Sequence, residues 1–99
     1  MQAKTVVRGE RLKLGKVSLE CGESMPEHVT TEREEVIICI HGKIRVRTPD
    51  RVHWLKPGEF CHVAPEVLHS VENASILRSE YFYAVAMLGI LCEAEQHLH

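Results

Sequence analysis

The segment EVIICIHGKIRVRT, residues 35–48, decides the fold class of this chain. After Glu35 its first half is continuously apolar, whereas its second half alternates apolar and cationic residues. Both patterns predict β-strands, and Gly42 between them predicts a turn. We therefore expect strands at residues 35–40 and 43–48 that pair as a hairpin.

The same period of two continues beyond this segment. It predicts further strands at residues 51–55, 60–63 and 68–71, each bounded by turn-forming residues. Parallel strands need long crossovers, whereas the connections here are only a few residues long. The sequence therefore predicts an all-β protein built as an antiparallel sandwich or barrel.

Upstream, the alternation changes phase within one strand. Leu12 and Leu14 occupy even-numbered positions and share one face, whereas Val17 and Leu19 occupy odd-numbered positions. This shift by one residue predicts a β-bulge at Gly15. Residues 22–26 contain turn-forming residues and a proline, which cannot donate to a strand ladder, so we expect a loop there.

The last third of the chain is apolar and less regular. Residues 76–88 fit one long strand or two, and residues 91–98 are interpreted as a short C-terminal helix. Nearly every residue from 81 to 91 is apolar, so both faces of this segment need cover. A subunit interface would supply that cover, and we therefore expect a homodimer.

Composition limits the classes of function. The chain has 99 residues, 44% of them hydrophobic and 26% charged, with a formal net charge of −2. These values are typical of one soluble globular domain, which we expect to span residues 1–99. Affinity for phosphate backbones grows with the number of Lys and Arg contacts, and no basic stripe is present, so nucleic acid is not expected as a partner.

The sequence also gives no indication of a membrane or an export signal. The longest apolar run, residues 82–92, is shorter than the about 20 residues that a membrane span needs. Residues 1–4 lack the apolar core of a signal peptide. We therefore expect a cytoplasmic protein without a membrane partner, whose cysteines are reduced thiols in packed positions.

Three residues carry the candidate chemistry, namely His28, Glu35 and His69. Two imidazoles and one carboxylate are a ligand set for divalent iron, manganese, nickel, copper or zinc. The interval from His28 to Glu35 is odd, so on one unbroken strand the two side chains would point to opposite faces. We therefore expect a turn in the polar run 30–34, which would let two strands aim these side chains at one interior.

Two short motifs give the chain a resemblance to the cupin superfamily of small jelly-roll β-barrels. The first motif of that family has a glycine, two histidines separated by one residue, a glutamate and a second glycine, and the second motif has a glycine, a histidine and an asparagine. The positions that match in order and spacing are Gly22, His28, Glu35, Gly42, Gly58, His69 and Asn73. Thr30 stands where the second histidine is usual, and Ala64 and Glu66 replace a proline and a glycine.

The resemblance implies a metal site and leaves two functions open. Carried over residue by residue, the family's ligands are His28, Glu35 and His69, with Thr30 a poor substitute for the missing imidazole. The first hypothesis is a metal-dependent enzyme of the oxygenase, isomerase or decarboxylase type acting on a small polar molecule. The alternative is a non-catalytic binding module for a sugar or other small ligand, with a degenerate metal site.

Several other residues allow two interpretations. Glu34 would replace Glu35 as ligand if the loop shifted, although only Glu35 keeps the interval to Gly42. Cys39 shares the strand face of Glu35, where it is either a soft ligand or a buried apolar thiol. The five aromatic side chains either line a ligand cavity or fill the barrel; they are Trp54, Phe60, Tyr81, Phe82 and Tyr83.

Overall fold

The computed structural model describes residues 1–87, and in that range it contains nine β-strands and no helix. The strands are β1 (Gln2–Arg8), β2 (Leu12–Leu19), β3 (Ser24–His28), β4 (Arg33–His41), β5 (Ile44–Arg47), β6 (Val52–Leu55), β7 (Phe60–Val63), β8 (His69–Asn73) and β9 (Ser79–Met87). The described part of the segment 76–88 therefore holds one long strand, β9, rather than two. The helix predicted at residues 91–98 lies outside the described residues.

The nine strands form two antiparallel sheets that face each other. The five-stranded sheet has the order β1-β2-β9-β4-β7, and the four-stranded sheet has the order β3-β8-β5-β6. Every strand pair in both sheets is antiparallel. This arrangement confirms the predicted all-β antiparallel jelly-roll barrel. Within residues 1–87, no helix has the length and hydropathy that crossing a membrane would require.

The core lies between the sheets and follows from the alternation of each strand. In β4 the residues at odd positions from Glu35 to Cys39 are buried and their even-numbered neighbours are half-buried, and β2 shows the same parity from Gly15 to Leu19. Because successive side chains of a strand point to opposite faces, each strand contributes every second residue to the interior. The fully buried aliphatic side chains include Val17, Leu19, Ile37, Ile44 and Val46.

The predicted hairpin between residues 35–40 and 43–48 is wrong. β4 pairs with β7 and β9, whereas β5 pairs with β6 and β8 in the other sheet. The chain passes between the sheets at Gly42, which has a positive φ of 76°. A Cβ atom at Gly42 would lie 2.2 Å from Ser79 Oγ, so only glycine fits this crossing.

Two local predictions upstream also need correction. β2 pairs with β9 without interruption from Leu12 to Leu19, and the register shift lies in β1 between Thr5 and Val7. The phase change in β2 arises because Leu12 is on the outer face, where it is exposed. The segment 22–26, predicted as a loop, instead enters β3. Pro26 is tolerated there because β3 is an edge strand, where a missing N–H leaves no partner unpaired.

The first strand was not predicted from the sequence. β1 forms the edge of the five-stranded sheet and is exposed along its whole length. An exposed strand on an edge has no buried face, so its sequence lacks the alternation that marks the other strands.

Candidate metal centre

The two candidate histidines are neighbours across one strand pair. His28 ends β3 and His69 begins β8, and the two are register partners. Their ring centroids are 4.3 Å apart, and the ring planes are tilted by 57°. Glu35 reaches them from β4 in the opposite sheet, where its position on the inner face leaves it only 6% exposed. The strands therefore bring together residues that are far apart in the sequence.

Each imidazole is fixed by a carbonyl of its own chain, two residues upstream. His69 Nδ1 lies 2.9 Å from the carbonyl oxygen of Val67, and His28 Nδ1 lies 3.0 Å from that of Pro26. A carbonyl oxygen only accepts hydrogen bonds, so Nδ1 carries the proton and donates in both rings. The neutral form of each histidine therefore keeps the lone pair on Nε2, the atom that can bind a metal ion.

The three side chains converge closely enough to share one ion. One ligand atom from each of His28, Glu35 and His69 lies within 4.8 Å of the others. Ligand atoms that bind one ion tetrahedrally at about 2.1 Å are about 3.4 Å apart, so the longest separation in the cluster would contract by at most about 1.4 Å. Two nitrogens and one oxygen would leave the remaining coordination positions open for water or a ligand.

The buried imidazole has an unsatisfied nitrogen. His69 is completely buried, and its Nε2 lies 3.3 Å from Glu35 Oε2, a contact that lacks the alignment of a hydrogen bond. The Glu35 carboxylate raises the pKa of His69 above the usual value for imidazole, and this effect exceeds the lowering caused by burial. A buried imidazole nitrogen that faces a carboxylate without a well-aligned hydrogen bond is suited to share an ion with that carboxylate.

A second buried atom without a hydrogen bond belongs to Thr30. Thr30 Oγ1 is buried without a hydrogen-bond partner in the described part of the chain, and Thr30 lines the same cavity as His28 and Glu35. Thr30 therefore takes the position at which the resemblance places a second histidine. Its hydroxyl oxygen is a weaker ligand than imidazole for a borderline divalent ion, and it is available for a hydrogen bond to a bound water or ligand.

The cluster opens into a cavity of about 230 Å³ between the sheets. Tyr81 and Tyr83 line it, whereas Trp54 and Phe60 are 54% and 67% exposed. Lys13 and Arg33 also line the cavity, and neither was predicted from the sequence. The alternation of β2 already indicates that Lys13 points inward, because Val17 and Leu19 point inward and Lys13 lies an even number of residues from both. The remaining lining residues are Ala3, Met25, Val71 and Val85.

The other candidate ligands lie outside this cluster. Glu34 faces outward, where its Oε1 is 2.7 Å from His62 Nε2. Glu35 is therefore the inward-facing residue of the two candidate carboxylates. Cys39 is buried, and its thiol lies 3.7 Å from the carbonyl oxygen of His41. Burial raises the pKa of the Cys39 thiol, as expected for a packed cysteine outside a metal site.

Comparisons with known proteins give one family and many similar structures. A family model described as "Cupin domain" matches residues 15–83. The cupin domain of Cnp3 from Schizosaccharomyces pombe is similar with a TM-score of 0.84 and 16% identity, over 95% of this chain and 69% of that chain. The protein TT1209 from Thermus thermophilus has a TM-score of 0.83 and 23% identity, over 88% of this chain and 83% of that chain.

A third similar structure has a name that describes its fold. It is an RmlC-like cupin family protein with a double-stranded β-helix fold from Methanocaldococcus jannaschii, with a TM-score of 0.80 and 22% identity over 93% of this chain and 84% of that chain. No curated protein sequence matches this chain significantly. At these identities the structural similarities concern the fold alone.

Proposed function

We propose, from the premise that this chain belongs to the cupin domain family, that it binds one divalent metal ion and acts with that ion on a small polar molecule. The proposed ligands are His28, Glu35 and His69. The observation that carries the proposal is the convergence of these three side chains, with the buried Nε2 of His69 facing Glu35 Oε2 at 3.3 Å without an aligned hydrogen bond. Iron, manganese, nickel, copper and zinc all suit two imidazoles and a carboxylate, so the ligand set does not select among them.

The side chains around the cluster fit a metal ion better than a structural role. A polar group that serves only the fold is normally hydrogen-bonded, because an unpaired buried nitrogen destabilises the protein by about 1–3 kcal/mol. In both histidines the second ring nitrogen donates to a backbone carbonyl. This is the arrangement that orients metal-binding imidazoles in proteins.

The protein's own residues would bind and orient the small molecule. A divalent ion at this site would supply a Lewis acid or, if redox-active, a centre for dioxygen chemistry. Tyr81 and Tyr83 would limit the access of water from one side of the cavity, and Thr30 Oγ1 would provide a hydrogen bond. We place the reaction among oxygenations, isomerisations and decarboxylations.

The first test is metal uptake by protein purified without an affinity tag. Elemental analysis measures the ion that co-purifies, and titration of the metal-free protein with Fe, Mn, Ni, Cu and Zn measures affinity. We expect micromolar or tighter binding of at least one ion, and a loss of at least about 100-fold in Glu35→Gln, because the charged ligand is removed. Glu34→Gln is the matched control and should bind as the wild type does. Absence of binding in the wild type would refute the proposal.

The alternative function is a binding module that does not use a metal ion. Thr30 favours it, since the hydroxyl stands where an imidazole ligand would strengthen the site. Thr30→His distinguishes the two functions. If the wild type is a metal protein, the added imidazole should tighten metal binding by about tenfold. If the wild type binds no ion and only Thr30→His does, the binding module is supported.

A further inference from the structure

Two cations lie on the inner face of the five-stranded sheet, next to the metal ligands. The register pairs Lys13 of β2 with Val85 of β9, and Val85 with Glu35 of β4. Lys13 therefore lies in the same row as Glu35, two strands away. Arg33 lies two residues before Glu35 on β4, so its side chain projects from the same face. Both Lys13 and Arg33 line the cavity.

Among the described residues, neither cation has an acidic partner. The salt bridges in residues 1–87 that involve lysine or arginine are Lys16 with Glu80, and Arg45 and Arg47 with Glu72. Lys13 Nζ instead lies 5.7 Å from the centroid of the Tyr83 ring, a contact that holds the amine at the cavity. Two cations that form no ion pair within residues 1–87 are available to a ligand.

The charge balance of the cavity favours an anion. Among the described residues that line the cavity, Glu35 is the one acidic side chain, against the two cations. A divalent ion on Glu35 would increase the positive excess, and the excess persists without the ion. An anionic ligand would therefore be attracted by the cavity in both states, and a cationic ligand would be repelled.

The size and walls of the cavity restrict the kind of anion. Its volume of about 230 Å³ lies below the range of about 300–1,000 Å³ that is typical of sites for drug-sized ligands. The apolar side chains of Met25, Val71 and Val85 form part of the wall of the same cavity. A small organic anion with a short hydrocarbon body fits this combination better than a nucleotide or a large sugar.

We infer that the site binds a small carboxylate, with its carboxyl group between Arg33 and Lys13 and its body directed toward His28 and His69. The guanidinium of Arg33 presents paired N–H donors that match the two oxygens of a carboxylate, and Lys13 adds a second positive charge. The inference rests on the proposed function, because it specifies the class of molecule that the metal site receives.

The experiment measures malonate binding to metal-loaded protein by calorimetry. The protein carries whichever of the five ions binds most tightly, and free metal is removed by dialysis. Variants Arg33→Met and Lys13→Met remove one charge each while keeping an extended side chain. Arg51→Met, in the exposed β5–β6 turn, and Lys16→Met, on the outer face of β2, are the matched controls. Inorganic phosphate and neutral malonamide are titrated in parallel.

We expect malonate to bind the wild type and both controls, and each cavity variant to bind about tenfold more weakly, the size of one charge-assisted hydrogen bond. Equal binding by malonamide, tighter binding by phosphate, or unchanged binding in Arg33→Met would overturn the inference. Metal uptake without malonate binding would also overturn it and would leave the proposed function standing. Failure of metal uptake would refute both.

Discussion

The barrel interior contains two buried polar clusters at opposite ends of β4, β8 and β9, and their hydrogen bonding differs. At one end, the Asn73 amide donates to the carbonyl oxygens of Leu19 and Leu77. Its oxygen accepts from the backbone of Ser75 and from the hydroxyl of Ser79. At the other end, His69 Nε2 and Thr30 Oγ1 are buried and make no aligned hydrogen bond within residues 1–87, and His69 Nε2 has only the 3.3 Å contact with Glu35 Oε2.

Under the proposed function, this contrast separates polar groups that serve the fold from those that serve a ligand. The Asn73 cluster has a partner for each donor and acceptor of the amide, so it ties β2, β8 and β9 together and leaves nothing for an external molecule. The histidine cluster has equally buried atoms that the described part of the protein leaves unpaired, and we attribute them to metal binding. The contrast can be tested by removing polar groups at each end.

The largest expected effect is at the satisfied end. Asn73→Ala removes four hydrogen bonds and leaves buried partners unpaired. We expect the free energy of unfolding to fall by about 4 kcal/mol, because each orphaned buried group destabilises by about 1–3 kcal/mol. Urea denaturation of the metal-free protein measures this change. A loss below about 1 kcal/mol would contradict the structural role of this cluster.

The second prediction compares one glycine from each end. At Gly42 an added Cβ would meet Ser79, including backbone at 2.9 Å, and φ is positive. At Gly15 the atoms nearest to an added Cβ all belong to the Tyr83 ring and its hydroxyl, the closest at 2.1 Å. We expect Gly42→Ala to reduce stability by about 3 kcal/mol, and Gly15→Ala by about 1–2 kcal/mol, because the Tyr83 ring can move toward the cavity.

The same urea denaturation measures both glycine variants. Equal losses would show that the cavity gives the Tyr83 ring no freedom to move. That result would weaken the distinction between a packed end and an end that is open to a ligand.

The third prediction has the opposite sign. Thr30→Val replaces the unpaired hydroxyl with a methyl group of similar size, so it removes a buried polar atom without leaving a partner orphaned. We expect the metal-free protein to gain about 1 kcal/mol of stability, measured by the same denaturation. A comparable loss would show that the hydroxyl has a partner within the protein.

The smallest expected effect concerns the Cys61 thiol on β7. Burial raises the pKa of Cys61 to about 11, and the negative charge of Glu35 contributes in the same direction. Glu35→Gln removes that charge and should lower the pKa of Cys61, so more thiolate is present at a given pH. We expect alkylation by iodoacetamide at about pH 9 to accelerate by a factor of about two to five, measured for each cysteine by mass spectrometry.

Cys39 is the internal control for this experiment. Its thiol pKa is also raised by burial, but the nearby negative charge is that of Glu59 rather than Glu35. Its alkylation rate should therefore be the same in the wild type and in Glu35→Gln. An unchanged rate at Cys61 would indicate that the Glu35 charge is neutralised in the folded protein.

The sequence predicted the fold where one face of a strand is buried. β4 and β7 follow from their apolar patterns, because burial on one or both faces leaves a regular sequence signal. β1 left no such signal, and the pairing of β5 was misassigned because a turn at Gly42 does not reveal which sheet the chain enters next. The homodimer, the single domain over residues 1–99 and the cytoplasmic location stay predictions.

The candidate site was predicted in part. The spacing of His28, Glu35 and His69 identified the cluster because the resemblance fixes the positions of its motifs. Arg33 and Lys13 carry no such motif, and their place at the cavity depends on the register between β2, β9 and β4. Register between strands distant in sequence is set by tertiary packing, so the meeting of the two cations at one cavity became visible only in the structure.

The carbonyls of Pro26 and Val67 give the two imidazoles their orientation from within their own chain segments. Backbone groups, rather than the apolar side chains of the cavity wall, therefore hold Nδ1 of both rings. Substitutions at the walls could change which molecule is accepted without rotating either ring. A barrel with this property is a suitable starting point for diversification, both in evolution and in the laboratory, since selectivity can change while the coordinating groups stay in place.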